Sequence, residues 1–249
     1  MPLAEGPVLS CQDVSYAYLD RFCALDQVSL DVQTGQRLAL LGANGCGKTT
    51  LLKVLAGLVF PTSGTVTAFG RPLTEAALED DQLSAAFRAR VGFCFQSSDV
   101  QVFSPTVRDE IAFGCLQLGL APEETRERTA DVLRLLGIGD LVDRTPFQLS
   151  GGQKKKVAIA SVLVMNPQVL LFDEPLAALD PRTRRWLTEL LARLVASGTT
   201  VVAATHDLDH LEQVADRAVV LGEDHRVLAD ASPEQVLADR DLLVAANLV

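Results

Sequence analysis

The chain has 249 residues, 48% of them hydrophobic with few aromatics, enough to bury one sizeable core built mainly of Val, Leu, Ile and Ala. Its formal net charge of -10 argues against two modes of binding by charge alone, gripping nucleic-acid phosphates and adhering to anionic lipid. The five cysteines (Cys11, Cys23, Cys46, Cys94, Cys115) form no C-x-x-C pair, so they read as reduced thiols, most of them small buried hydrophobes, and not as a disulfide framework or a zinc site.

In chain order, MPLAEGPVLS has neither the basic nor the apolar region of a signal peptide. Val8 to Tyr18 and Ala24 to Val32 read as strands, and Gly35 breaks the chain after them. Arg37 to Leu41 is a short apolar strand, and Thr49 to Leu58 has helical periodicity through Leu51, Leu52 and Leu55. A turn from Pro61 leads to a strand at Thr65 to Ala68. Gln82 to Arg90 is helix-like, and Val91 to Phe95 is a buried strand ending at Gln96. From Thr106 to Gly137 the pattern is helical, with Glu, Arg and Leu dominant, and Gln148 to Met165 opens on Ser-Gly-Gly and continues as a helix. Its apolar run, Val157 to Met165, is too short to span a membrane, so work at a membrane would need another chain to cross it. Gln168 to Phe172 is a continuous apolar strand. Asp180-Pro181 reads as an N-cap followed by proline at the first helical position, and Ser197-Gly198 stops that helix. Thr199 to Thr205 is a β-branched strand ending at His206. Ala218 to Leu221 and Arg226 to Leu228 form a last small hairpin, and Pro233 to Leu242 is a short helical stretch. Strands alternating with helices predict an α/β fold with a parallel, doubly wound sheet, and residues 97 to 165 read as a helical insertion.

The chemistry begins at Gly42-Ala43-Asn44-Gly45-Cys46-Gly47-Lys48-Thr49, a full G-x-x-x-x-G-K-[ST] phosphate loop between a strand and a helix. Its glycines let backbone N–H groups turn inward onto phosphate oxygens, helped by the positive end of the following helix. Lys48 is expected to reach the β- and γ-phosphates and Thr49 to ligate Mg²⁺, with Thr50 beside them. Asp173 ends an apolar strand, where a carboxylate can hold the metal ion or its water. Glu174, next to it, can polarise the water that attacks the γ-phosphate. Together these define a P-loop ATPase with ATP and Mg²⁺ as its cofactors. The run Lys154-Lys155-Lys156 reads as a solvated helix face.

Leu149-Ser150-Gly151-Gly152-Gln153 resembles the signature motif of ATP-binding-cassette (ABC) proteins, and the resemblance extends over nearly the whole chain with its elements in family order. It implies an ABC-type nucleotide-binding domain: a core from residues 1–96 and 166–232 with an antiparallel β subdomain, a helical subdomain over 97–165, and a short C-terminal extension over 233–249. It further implies that Ser150, Gly151, Gly152 and Gln153 complete the ATP pocket of an opposing subunit, in a homodimer or in a heterodimer with a second ATPase. By the same resemblance Tyr18 stacks on adenine, Gln96 contacts Mg²⁺ and water, Asp180 belongs to a loop crossing the dimer interface, and His206 contacts the γ-phosphate. As residue readings alone, Tyr18 also fits a core aromatic and Asp180 a plain N-cap. Two positions depart from the family pattern: Cys46 replaces a commoner serine, and Ala177 stands where the interface loop often has serine.

The stretch Phe95 to Gly114 (FQSSDVQVFSPTVRDEIAFG) resembles the energy-coupling-factor group, especially its cobalt/nickel-type ATPases. That implies a peripheral subunit at the cytoplasmic face of the cell membrane. It would dock integral-membrane transporter subunits through a groove at about Val100 to Phe103, with no nucleic-acid partner. The ATPase of another ABC transporter class and a soluble, non-transport ABC ATPase stay open as alternative readings.

Overall fold

The computed structural model describes residues 6–249, so the reading of the first ten residues lies half outside the described part. Two sheets organise it. The first is antiparallel, in the order β2-β1-β4-β5, from β1 (Leu9–Tyr18), β2 (Phe22–Val32), β4 (Ser63–Ala68) and the two-residue β5 (Arg71–Pro72). The second has the order β10-β9-β3-β8-β7-β6, from β3 (Arg37–Leu41), β6 (Val91–Cys94), β7 (Val169–Asp173), β8 (Thr200–Thr205), β9 (Arg217–Leu221) and β10 (Val227–Ala231). Its first five strands by position in the chain run parallel, and β10 pairs antiparallel with β9 as the closing hairpin.

The central strands carry apolar residues on both faces, as a covered parallel sheet requires. Leu38 and Leu40 of β3, Leu171 of β7 and Val202 of β8 face α1 (Lys48–Leu55), whose Leu51, Leu52 and Leu55 also meet Leu9 and Leu25 of the antiparallel sheet. Thus α1 lies between the two sheets, and each fully buried leucine there contributes about 1.5–3 kcal/mol. On the opposite face Leu170 and Phe172 of β7 and Val201 and Ala203 of β8 pack on α6 (Gly151–Leu163) and α7 (Pro181–Ala196). Ala39 and Leu41 of β3 pack with Ala218 and Val220 of β9 under α8 (Leu211–Val214), α9 (Pro233–Ala238) and α10 (Arg240–Ala245). The C-terminal helices therefore complete the core of the sheet.

The stretch read as helical from Thr106 to Gly137 is helical in the structure, with one break. It is two helices, α4 (Val107–Gln117) and α5 (Pro122–Leu136), divided where Gly119 takes a left-handed φ of 71° and Pro122 opens the next helix. Two other short elements were not legible, α2 (Glu75–Leu78) and α8, because single helical turns carry no periodicity. The helix α3 (Asp81–Arg90) begins at the capping side chain of Asp80. Among the described residues, no helix is long and apolar enough to cross a membrane.

Candidate nucleotide site

The carboxyl ends of β3, β7 and β8, three adjacent parallel strands, bring the chemistry together. From β3 the chain enters a loop in which Gly42, Gly45 and Gly47 have φ of 149°, 87° and 112°, a conformation that favours glycine. At Gly47 the requirement is doubled, since a Cβ would lie 2.2 Å from the Ala24 carbonyl oxygen. Gly47 caps α1 without a side-chain partner, leaving the first N–H groups of that helix free to meet an anion. Asn44 and Gly45 are exposed at the crest, and Cys46 is buried with its thiol pKa raised by that burial. Lys48 is buried and folded back over the loop, where its Nζ donates to Gly42 O at 2.7 Å and Ala43 O at 2.9 Å.

Thr49 and Asp173 meet across α1 and β7. The Thr49 hydroxyl donates to the Asp173 carboxylate, at 2.9 Å from one oxygen and 3.0 Å from the other. Asp173 is buried, and burial together with the neighbouring Glu174 pushes its pKa up, against the lowering effect of the Thr49 bond and of Lys48. A buried carboxylate beside a hydroxyl, short of compensating charge, is a hard-oxygen donor set that suits a small divalent cation such as Mg²⁺. Glu174 is buried with a left-handed φ of 45°, strain that is held in place where its N–H donates to Ala204 O at 2.9 Å. Its Oε1 lies 2.7 Å from His206 Nδ1, which follows directly on β8. Tyr18, at the end of β1, hangs over α1 with its hydroxyl 3.3 Å from Thr50 Oγ1 and its ring edge-on to Tyr16.

Other expected site residues lie elsewhere. Ser150 caps α6 in a reciprocal box: Gln153 N–H donates to its Oγ at 3.4 Å, and Ser150 N–H donates to Gln153 Oε1 at 3.0 Å. Ser150 and Gly151 are exposed, and among the described residues they make no hydrogen bond to residues 42–50 of their own chain. Gly152 instead abuts the start of α7, where an added Cβ would lie 2.8 Å from Thr183 Oγ1 and 3.7 Å from Asp180 Oδ2. Asp180 caps α7, accepting from Thr183 Oγ1 at 2.6 Å and from two backbone N–H groups. The Thr183 bond is the main cause holding its pKa low. Gln96 follows β6, next to β7 in the sheet, with its side chain exposed.

One expectation needs correction. The lysine run is not a solvated face: Lys155 is buried, Lys154 pairs with Asp99 at 2.5 Å, and Lys156 lies 4.6 Å from the centre of the Trp186 ring. Lys155 occupies the same helix face as Ala158, Ile159 and Val162, and counting back from those apolar positions would have revealed it. Within Val100 to Phe103 only Val100 and Phe103 are exposed, at 72% and 58%, whereas Val102 is buried in the core. Phe103 stacks edge-on with the exposed Phe113 of α4, an apolar neighbour that lies outside the expected stretch. The loop is held by Glu110, whose Oε2 accepts from the N–H groups of Phe103 and Ser104 at 2.8 and 2.7 Å.

Residues 25–177 match the model of the ABC transporter family. With that match over more than half of its length, the chain belongs to the ABC transporter ATP-binding family, and it is an ABC-type, nucleotide-binding ATPase subunit. It is 47% identical to the nickel import ATP-binding protein NikO of Rhodobacter capsulatus, over 98% of this chain and 96% of that protein. Among solved structures it resembles cbiO1 of Clostridium perfringens, described as part of the ABC transporter complex cbiONQ, with a TM-score of 0.82 and 34% identity over 98% of this chain and 96% of that one. It also resembles a dimeric ATP-binding cassette in a post-hydrolysis state bound to ADP and Pi, with a TM-score of 0.80 and 28% identity over 90% of this chain and 98% of that one.

Proposed function

We propose that this chain hydrolyses MgATP to power a membrane importer of the energy-coupling-factor type, with nickel or cobalt as the cargo class. The observation that carries the catalytic part is the convergence of Thr49–Asp173 and Glu174–His206 on the carboxyl ends of three adjacent strands. The cargo reading is supported by the similarity to the R. capsulatus nickel-import protein and the C. perfringens cbiO1. The chain acts at the cytoplasmic face of the membrane, held there by integral partners that dock on Val100, Phe103 and the adjoining Phe113.

In this reading Lys48 exchanges its bonds to Gly42 O and Ala43 O for phosphate oxygens, and the N–H groups of residues 45–50 close around the same phosphates. Thr49 and Asp173, with Gln96, hold Mg²⁺, which when bound neutralises charge on the phosphates. Tyr18 offers its exposed ring to adenine. Glu174 orients the attacking water and accepts its proton, and the hydrogen bond from His206 Nδ1 fixes that carboxylate. Ser150 and the N–H groups of Gly151 and Gly152 form a second anion-binding tip, which Gln153 steadies through its reciprocal bonds with Ser150. They serve the nucleotide of a facing copy or of a second ATPase, across which Asp180 also lies.

Glu174→Gln tests the core of the proposal. The amide keeps an oxygen that can accept from His206 but cannot take the proton. Turnover is expected to fall about 10²- to 10⁴-fold with ATP affinity retained, and a nucleotide-bound dimer to accumulate in size-exclusion chromatography. Normal hydrolysis by this variant removes Glu174 from the role. The cargo is identified by co-purifying the membrane partners and following uptake of Ni²⁺ and Co²⁺ into vesicles.

A further inference from the structure

Helix α6, whose tip is Ser150–Gly152, holds the exit of β6 at three points. Lys155 Nζ donates to Phe95 O at 3.2 Å and to Gln96 O at 3.4 Å. Gln101 takes the other side of Phe95: the Phe95 N–H donates to Gln101 Oε1 at 3.1 Å, and Gln101 Nε2 donates to Ala158 O at 2.7 Å. Lys154 Nζ meets Asp99 Oδ1 at 2.5 Å. The N–H and C=O of Phe95 are thus both committed, directly or through one side chain, to a single helix.

Burial of a lysine is costly unless its ammonium is well compensated. Lys155 is 4% exposed, among apolar neighbours one and two turns on, where a leucine or methionine would pack without that cost. Its burial lowers its pKa, while the nearby Asp173 carboxylate acts the other way. What the ammonium supplies, and an apolar residue would not, is a pair of bonds to the two carbonyls that set the direction of the chain at Gln96.

We propose that Lys155 is a positioning residue: with Gln101 it locks the Phe95–Gln96 backbone to α6, so that Gln96 and the Ser150–Gly152 tip move as one unit. The inference rests on the reading of Gln96 as a residue of the hydrolytic site. It also gives the docking surface a mechanical role. Val100 and Phe103 lie in or beside the tied loop, so displacement at that surface reaches Gln96 of one site and the tip serving the other together.

The test uses the full chain with Lys155→Met, Gln96→Ala and the double variant, measuring ATPase rate against ATP and against Mg²⁺. Methionine keeps the length and the apolar stem and removes the donors. Lys155→Met is expected to melt at or above the parent temperature and to bind ATP within about two-fold. Its kcat should fall about ten-fold, with more Mg²⁺ needed for half-maximal rate, as for misplacement of a group by a fraction of an ångström. Adding Lys155→Met to Gln96→Ala should cost nothing further, and Lys155→Arg should restore most of the rate. A Lys155→Met rate within about two-fold of the parent, or losses that multiply in the double variant, overturns the proposal. Should Lys155→Met fail to fold, Gln101→Leu cuts the companion tie and is judged by the same criterion. If Gln96→Ala itself hydrolyses at the parental rate, it is the reading of Gln96 that falls. A slow Gln96→Ala with a normal Lys155→Met sinks the latch alone.

Discussion

Replacing Asp173 by asparagine should make the nucleotide-free chain more stable while destroying its magnesium-dependent activity. Asp173 is 6% exposed and its neighbour Glu174 is 7% exposed, so two carboxylates sit side by side out of water. One hydroxyl, from Thr49, serves Asp173, and the Lys48 ammonium is spent on Gly42 O and Ala43 O. Burial first and Glu174 second raise the Asp173 pKa above its ordinary value. A carboxyl whose folded pKa is raised binds its proton more tightly in the native state. Its charge therefore costs stability at pH above the folded pKa, and that cost disappears as pH falls through it. Asparagine keeps an oxygen for Thr49 and removes the charge. Set against the need to satisfy a new amide N–H, the expected gain at pH 8 is about 1 kcal/mol, or roughly 2–4 °C in a chain of this size. Thermal unfolding without nucleotide or Mg²⁺, run from pH 8 down into the ordinary carboxylate range at about pH 4, measures it: the gap between the proteins should narrow on acidification. Added Mg²⁺ should raise the melting temperature of the parent and leave the variant unmoved. An asparagine variant less stable than the parent at pH 8, or a gap independent of pH, would refute the account of Asp173 as an under-compensated buried charge.

Gly47→Ala places a Cβ 2.2 Å from Ala24 O at a φ of 112°, so it should cost about 3 kcal/mol in urea denaturation and abolish ATP binding. ATP binding at the parental level would show that the loop tolerates another path. Val100→Ser with Phe103→Ser changes two largely exposed side chains and removes the Phe103–Phe113 edge contact, so stability should fall by about 0.5–1.5 kcal/mol and soluble ATPase activity should move by less than about two-fold. Co-purification with the membrane partner should be lost. A complex that survives both changes places the docking surface elsewhere.

The phosphate loop, the strand-end carboxylates and the Ser-Gly-Gly helix tip were legible in the linear sequence because each depends on neighbours within a few residues. The spacing of Gly42, Gly45 and Gly47 follows from the local path of the backbone, and Asp180-Pro181 and Ser150 cap helices through bonds three residues or fewer away. Apolar runs likewise marked the buried strands β3, β7 and β8, since a parallel sheet covered on both faces has no polar alternation. Tertiary structure decided what depends on residues distant in the chain. Thr49 meets Asp173 across 124 positions and Glu174 meets His206 across 32, because the strand order places β7 and β8 beside the helix that follows β3. Lys155 looked like one charge in a solvated run, yet Phe95 and Gln96, some 60 residues before it, turn it into a buried tie. The composition of a segment states which side chains could be charged, but only the packing of other segments against it decides whether that charge meets water or a carbonyl.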